Sequence, residues 1–240
     1  MGSNRAALEK KVTELQRKTK LHKQVVQSLV ERYQCQCKDK GLDRDTLRGD
    51  LMNEFDMLDD FLLDRIFRTF DVSAIGQHLK LDDYVMGMAV FLTQNVDDKI
   101  RFCFNVYDLN GDGYITREEM YQFLKHSMVE KAHGDAEDDA DDSTKDLTEI
   151  ILKKLDNEDH DGRVSYQDFH SAVMQDKLLL EALGQCLPDE KCRCRYLQLL
   201  GDPGMNNQQS NTVIKVKSRS RPGSRMSARK SHSQSVQVKN

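Results

Sequence analysis

Apolar residues recur at steps of three and four through most of this chain, and the stretches that interrupt them are its most informative parts. Leu8, Val12, Leu15, Val25, Leu29 and Tyr33 predict one long amphipathic helix over 5–33. Two further runs follow in 45–70, around Leu47, Leu51 and Phe55 and then Phe61, Leu62, Ile66, Phe67 and Phe70, and another covers Val85, Met88, Ala89, Phe91 and Leu92. Ile100, Phe104 and Tyr107 lead into a short acidic segment, and Met120, Phe123 and Leu124 lead out of it. The same arrangement returns downstream: Leu147, Ile150, Ile151 and Leu155, a second acidic segment, then Phe169, Val173 and the leucines of 178–180. Helix, acidic loop, helix, repeated, is an internal repeat.

Two intervals lack this periodicity. Residues 131–146 carry Asp135, Glu137, Asp138, Asp139, Asp141 and Asp142 with almost no large apolar side chain, which predicts a solvated linker. After Leu200 the breakers Gly201, Pro203 and Gly204 open a Ser/Arg/Lys-rich stretch that predicts a disordered tail over 201–240.

Charge sharpens this division. The net charge of −4 is the sum of a tail (205–240) with eight basic and no acidic residues and a body with 28 basic against 40 acidic. An acidic body suits divalent cations, and a basic tail suits an acidic surface such as tubulin or anionic lipid. No secretory signal opens the chain and no apolar run approaches the ~20 residues of a membrane span, so the six cysteines are expected as free thiols. The seven histidines are scattered, and no phosphate loop, nucleophile elbow or zinc helix is present, which argues against an enzyme. Nothing accompanies the basic tail that would read bases, which argues against nucleic-acid recognition.

The acidic segments carry specific chemistry. Residues 108–119 read Asp-Leu-Asn-Gly-Asp-Gly-Tyr-Ile-Thr-Arg-Glu-Glu. A twelve-residue EF-hand loop needs oxygen at positions 1, 3, 5, 7, 9 and 12, because Ca²⁺ is a hard ion taking six to eight oxygens. Asp108, Asn110, Asp112, the Tyr114 carbonyl, Thr116 and Glu119 fill those positions, with Gly113 at the sharp turn where a Cβ is expected to obstruct and Ile115 as the apolar residue inside the loop. The later segment fits less well. Gly162 at position 6 gives Asn157, Asp159, Asp161, Arg163, Ser165 and Asp168 as the oxygen-bearing places, with Val164 in the place of Ile115. Asn157 gives up a charge, and Asp168 is one carbon shorter than Glu. Asp156 takes the first place instead if the loop holds an extra residue. A weaker site is expected there, one that also admits Mg²⁺.

A third candidate starts at Asp71. Its helices fit, but Ile75 stands at a ligand place and neither Asp82 nor Asp83 closes the loop unless a residue is inserted. A fourth, around 35–46 with Leu42 as its apolar centre, has almost no acidic ligands. The loops of such hands pair through short strands, so Ile115 and Val164 are expected to face each other. The predicted fold is therefore all-α: a two-lobed array of four helix-loop-helix units, two of them degenerate. The N-lobe covers 1–94, the calcium-binding C-lobe 95–200, and the basic tail 201–240.

This layout resembles the neuronal calcium sensor superfamily, and more closely the calaxin-like axonemal EF-hand proteins. The likeness is carried by 64–71 (Asp-Arg-Ile-Phe-Arg-Thr-Phe-Asp), 107–115, 153–156 and 178–189 (Leu-Leu-Leu-Glu-Ala-Leu-Gly-Gln-Cys-Leu-Pro-Asp), the last lying outside any EF-hand element, and it spans roughly 8–190. It implies a cytoplasmic protein of the ciliary or flagellar axoneme. Its partners would be the outer-arm dynein heavy chain and coiled-coil docking-complex proteins, with tubulin a further partner through the basic tail, and calcium would tune dynein-driven motility. The tail is not part of the family pattern. Ala6 departs from the acylation pattern, so no stable membrane anchor is expected. The implied mechanism is a switch in which loop closure on calcium moves the exiting helix and exposes Phe104, Met120, Phe123, Leu124 and Met128 to an amphipathic partner. The alternatives are a constitutive structural adaptor of the axoneme, a calcium-sensor-type regulator of another target, and a soluble calcium buffer.

Overall fold

The computed structural model describes residues 2–37, 40–72, 77–129 and 137–205. The chain opens with a helical hairpin, α1 (Gly2–Thr19) and α2 (Lys23–Gln36), where the sequence pattern predicts one helix. The break has a local cause. The Lys20 N–H still bonds the Gln16 carbonyl, but Lys20 is left-handed (φ +59), which ends α1, and nothing apolar lies between Leu15 and Leu21 to carry the stripe across.

Four helix-loop-helix units follow the pattern. Strand β1 (Leu42–Asp43) leads into α3 (Arg44–Phe55), α4 (Asp60–Phe70) precedes β2 (His78–Leu79), and α5 (Leu81–Leu92) completes the first pair. In the second pair α6 (Val96–Tyr107), β3 (Tyr114–Thr116) and α7 (Arg117–Val129) precede α8 (Glu137–Leu155), β4 (Arg163–Ser165) and α9 (Tyr166–Gln175). A 3-10 turn (Lys177–Glu181) and α10 (Glu190–Leu199) close the chain. Short polar side chains start these helices where their first N–H groups lack partners: Asp43 accepts from Thr46, Asp59 from Leu62 and Asp189 from Cys192.

Each pair is joined by an antiparallel ribbon. Leu42 lies opposite Leu79 in one, and Ile115 lies opposite Val164 in the other, as expected. All four side chains are fully buried. The helices pack one contiguous core around aromatic rings. Phe91 meets Phe55, Phe70 and Phe102 edge-on at 5.4–5.6 Å, and Tyr107 meets Phe123 at 5.2 Å. Phe61 of α4 lies 5.1 Å from Phe123 of α7, carrying the core across from the first pair to the second.

Two segments differ from their sequence reading. Residues 137–146, expected within a solvated linker, form the first half of α8. Thr144 and Thr148 give this helix a buried face, Lys145 bridges Asp141 at 2.7 Å one turn away, and the Tyr121 hydroxyl of α7 bonds Asp141. Residues 190–199, grouped by sequence with the C-terminal half, pack on α3 and α5 of the N-terminal half. There Tyr196 meets Phe55 at 4.8 Å, and the buried Arg193 guanidinium donates to the Leu92 carbonyl (3.1 Å) and to Glu190 (2.8 Å). The remainder of the acidic linker, 130–136, and the basic tail from 206 lie outside the described residues. The chain just before that tail is anchored: Asp202 bonds the Leu197 carbonyl, and Met205 packs against the core.

Candidate metal centre

The first loop of the C-terminal pair begins where α6 stops. The Asp108 N–H donates to the Phe104 carbonyl (2.9 Å), so Asp108 is held at the helix end, and its carboxylate accepts from Gly111 (2.7 Å) and Gly113 (2.9 Å). Asn110 Oδ1 accepts from Asp112 N–H, and Asp112 Oδ1 from Tyr114 N–H. At the far side Glu119, in the first turn of α7, reaches back across the loop. Its Oε1 accepts from Leu109 (2.8 Å) and Asn110 (3.2 Å), and its Oε2 from the Thr116 N–H (2.8 Å) and hydroxyl (2.9 Å).

All six predicted residues therefore line one loop, with Asp108 and Glu119 buried at 8% and 5% exposure and Asn110 and Asp112 exposed at its rim. Burying two carboxylates needs compensation, and backbone N–H groups supply part of it. The donor set is carboxylate, amide, carbonyl and hydroxyl oxygen, which fits Ca²⁺. Gly113 serves differently from expectation. Nothing lies within 4 Å of a Cβ placed on it; its requirement is the left-handed backbone (φ +88).

The second loop repeats this frame with one residue more. Asp156 N–H bonds the Leu152 carbonyl (2.8 Å), as Asp108 does at the end of α6, and the Asp156 carboxylate accepts from Gly162 (2.9 Å). Arg163 N–H donates to Asp161 as Tyr114 does to Asp112. His160 is left-handed (φ +55) where Gly111 is (φ +74). Asp168 accepts from Ser165 N–H (3.0 Å) and Glu158 N–H (3.3 Å), which correspond to Thr116 and Leu109. The corner is thus occupied by Asp156, and Asn157, placed first by sequence spacing, is the extra residue. The helix end decides this: α8 stops at Leu155, and the residue after it takes the corner.

Asp156, Asp159 and Asp161 bring one carboxylate oxygen each within 4.8 Å of one another. Asp156 is 5% exposed, and its Oδ1 is buried with no hydrogen-bond partner. An orphaned buried oxygen inside a carboxylate cluster is what a bound cation would satisfy. Arg163 offers only its carbonyl, since a guanidinium has no acceptor; its side chain pairs with Asp161 (3.0 Å) and lies 4.3 Å over the Tyr114 ring.

The loop after α4 has the same length as this second one. Leu79 is eight residues beyond Asp71, as Val164 is beyond Asp156, so Asp83 closes the loop. Burial raises the Asp83 carboxyl above its usual range, and the negative charge of Asp71 adds to this. Residues 73–76 of this loop lie outside the described residues, and so does the side chain of Met128. The other residues of the expected partner face, Phe104, Met120, Phe123 and Leu124, are buried in the core. None of the six cysteines, all among the described residues, is joined in a disulfide, and no helix among the described residues is long and apolar enough to cross a membrane.

Comparison with known proteins agrees with this geometry. A family model described as an EF-hand domain pair matches residues 97–174. The chain is similar to calaxin of Xenopus laevis, with 50% identity over 153 residues covering 64% of this chain and 71% of the relative. Calaxin of Danio rerio is 50% identical over 151 residues (63% and 70%), and calaxin of Homo sapiens 43% over 168 residues (70% and 77%).

Proposed function

The chain belongs to the calaxin family of calcium-binding EF-hand proteins and is not an enzyme, and from that premise we propose that it carries calcium signals to outer dynein arms of the ciliary or flagellar axoneme. The ligands in this reading are Asp108, Asn110, Asp112, the Tyr114 carbonyl, Thr116 and Glu119. The observation that carries it is Glu119, a buried carboxylate on the first turn of α7 whose oxygens hold the opposite side of the loop.

Calcium supplies a compact double positive charge that draws several oxygens to one point. Glu119 would then exchange its bonds to Leu109, Asn110 and Thr116 for that charge. Because Glu119 belongs to α7, its displacement is a displacement of α7, and Met120, Phe123 and Leu124 travel with it. Phe104 and Tyr107 on α6 would lose part of their cover, presenting an apolar face to an amphipathic helix of dynein or of a docking-complex coiled coil. The second loop, with Asp156, Asp159, Asp161, the Arg163 carbonyl and Asp168, is proposed as the weaker site. The short reach of Asp168 suits a monodentate contact and therefore Mg²⁺ as well as Ca²⁺. The basic residues of 206–240 are proposed to meet the acidic surface of tubulin.

A constitutive adaptor is the second reading, favoured by Phe104, Met120, Phe123 and Leu124 lying buried in the core, where they serve as packing. Titration of Ca²⁺ into the full chain at physiological Mg²⁺, with and without Glu119→Gln, decides between them when paired with capture of outer-arm dynein and docking-complex proteins. Sensor behaviour predicts a micromolar site lost in the variant and capture that changes with calcium. Capture indifferent to calcium leaves the adaptor.

A further inference from the structure

Arg65 stands on α4, in the N-terminal half of the molecule, yet its guanidinium is spent on the 108–119 loop of the other half. Nε donates to the Val106 carbonyl (3.1 Å) and Nη1 to Leu109 (3.3 Å), while Nη2 donates to Asp108 (2.7 Å) and Asn105 (3.5 Å). These four carbonyls are the last turn of α6 and the first two residues of the 108–119 loop. With α6 ending at Tyr107, the carbonyls of Asn105 and Val106 have no helical N–H to accept from. A cation there also meets the negative end of the α6 dipole. Arg65 therefore acts as a C-terminal cap lent from 43 residues away. The neighbouring Arg68, on the same helix, faces solvent and pairs with Asp64 at 3.0 Å.

A rigid planar fork spreads its donors over three nitrogens and spans four separate carbonyls; a lysine gathers its three donors on one nitrogen and covers fewer of them. We propose that Arg65 is a positioning residue for the calcium loop: it fixes the end of α6 and the backbone of Asp108, so that α7 is the side that moves, and it ties the N-terminal half to calcium binding at the 108–119 loop. This rests on the calcium reading of the 108–119 loop. One effect opposes it, because a positive charge near Asp108 and Glu119 repels an incoming cation. Arg65→Lys separates the two, since it keeps the charge and removes the fork.

The test is calcium titration of the full chain as wild type, Arg65→Lys and Arg68→Lys, together with amide hydrogen exchange across 60–70 with and without calcium. Positioning predicts about tenfold weaker calcium binding in Arg65→Lys and none of that loss in Arg68→Lys. It also predicts that exchange in α4 slows on calcium in the wild type but not in Arg65→Lys. Wild-type affinity in Arg65→Lys, or wild-type α4 exchange indifferent to calcium, overturns the proposal while leaving the calcium site standing. The wild-type exchange measurement needs no variant, so misfolding of Arg65→Lys does not remove the test. A wild-type chain that binds no calcium overturns the calcium reading and this proposal together.

Discussion

The two loops of the C-terminal pair are built on one frame, and among their differences are one inserted residue, Asn157, one missing methylene, Asp168 for Glu119, and a carboxylate for an amide, Asp159 for Asn110. Both begin at the residue after a helix end, both place an apolar residue at the centre of the shared ribbon, and both close on a first-turn carboxylate that accepts from the residue three before it. Yet in the first loop the Asp108 oxygens are both bonded to N–H groups, whereas in the second Asp156 keeps one oxygen without a partner. The frame of the hand is therefore set by its helix ends and ribbon and tolerates an extra residue. The ligand shell is what the insertion alters.

Five variants test this, from the largest effect to the smallest. Ile115→Ala removes a fully buried ribbon residue shared by both loops and is expected to cost about 3 kcal/mol in chemical denaturation. Saturating calcium should recover part of that loss, since ligand binding stabilises the folded state. A loss untouched by calcium would mean that the ribbon is not linked to occupancy. Glu119→Gln is expected to weaken calcium binding at the first loop about 100-fold while leaving the second loop's affinity within a small factor. Parallel losses at both loops in calorimetry would show that the loops bind as a unit. Deleting Asn157 while making Asp168→Glu gives the second loop the length and reach of the first, and its calcium affinity in the presence of Mg²⁺ should rise about tenfold. No rise would assign the weakness to composition rather than length. Gly113→Ala and Gly162→Ala meet no atom within 4 Å, so each should cost only the backbone strain of φ +88 and φ +85, about 1 kcal/mol and nearly equal by urea titration. A large difference between them would reveal a close approach that appears only on ion binding.

Much of this organisation was legible in the residues. Helical periodicity located the helices from α3 to α9 in outline, because amphipathic packing on one core imposes it, and the 108–119 spacing placed its six candidate residues around one loop. Ile115 and Val164 were predictable as ribbon partners because each is the apolar residue two places after its loop's turn glycine, Gly113 or Gly162. Other features depend on contacts distant in sequence. The Lys20 break between α1 and α2 is a single left-handed residue, which periodicity does not register. Helix formation in 137–146 rests on Thr144 and Thr148 packing under α7, and threonine carries no strong helical signal. The displacement of Asn157 by Asp156 is fixed by where α8 ends, and helix ends are the least certain part of any sequence reading. Arg65 lies in the 64–71 run that carries the family likeness, but its role gave no signal, since an arginine on a helix face says nothing of the carbonyls it will meet.

The return of α10 to the first half makes the molecule a closed circuit rather than two beads on a string. A fragment beginning at 95 would carry Tyr196, Leu197 and Leu200 without the α3 and α5 surface that covers them, and a fragment ending at 94 would leave Phe55 and Phe91 with an open flank. Each piece would present the other's missing surface. Co-expressed halves should accordingly find each other and reassemble without a covalent link, as a split reporter does.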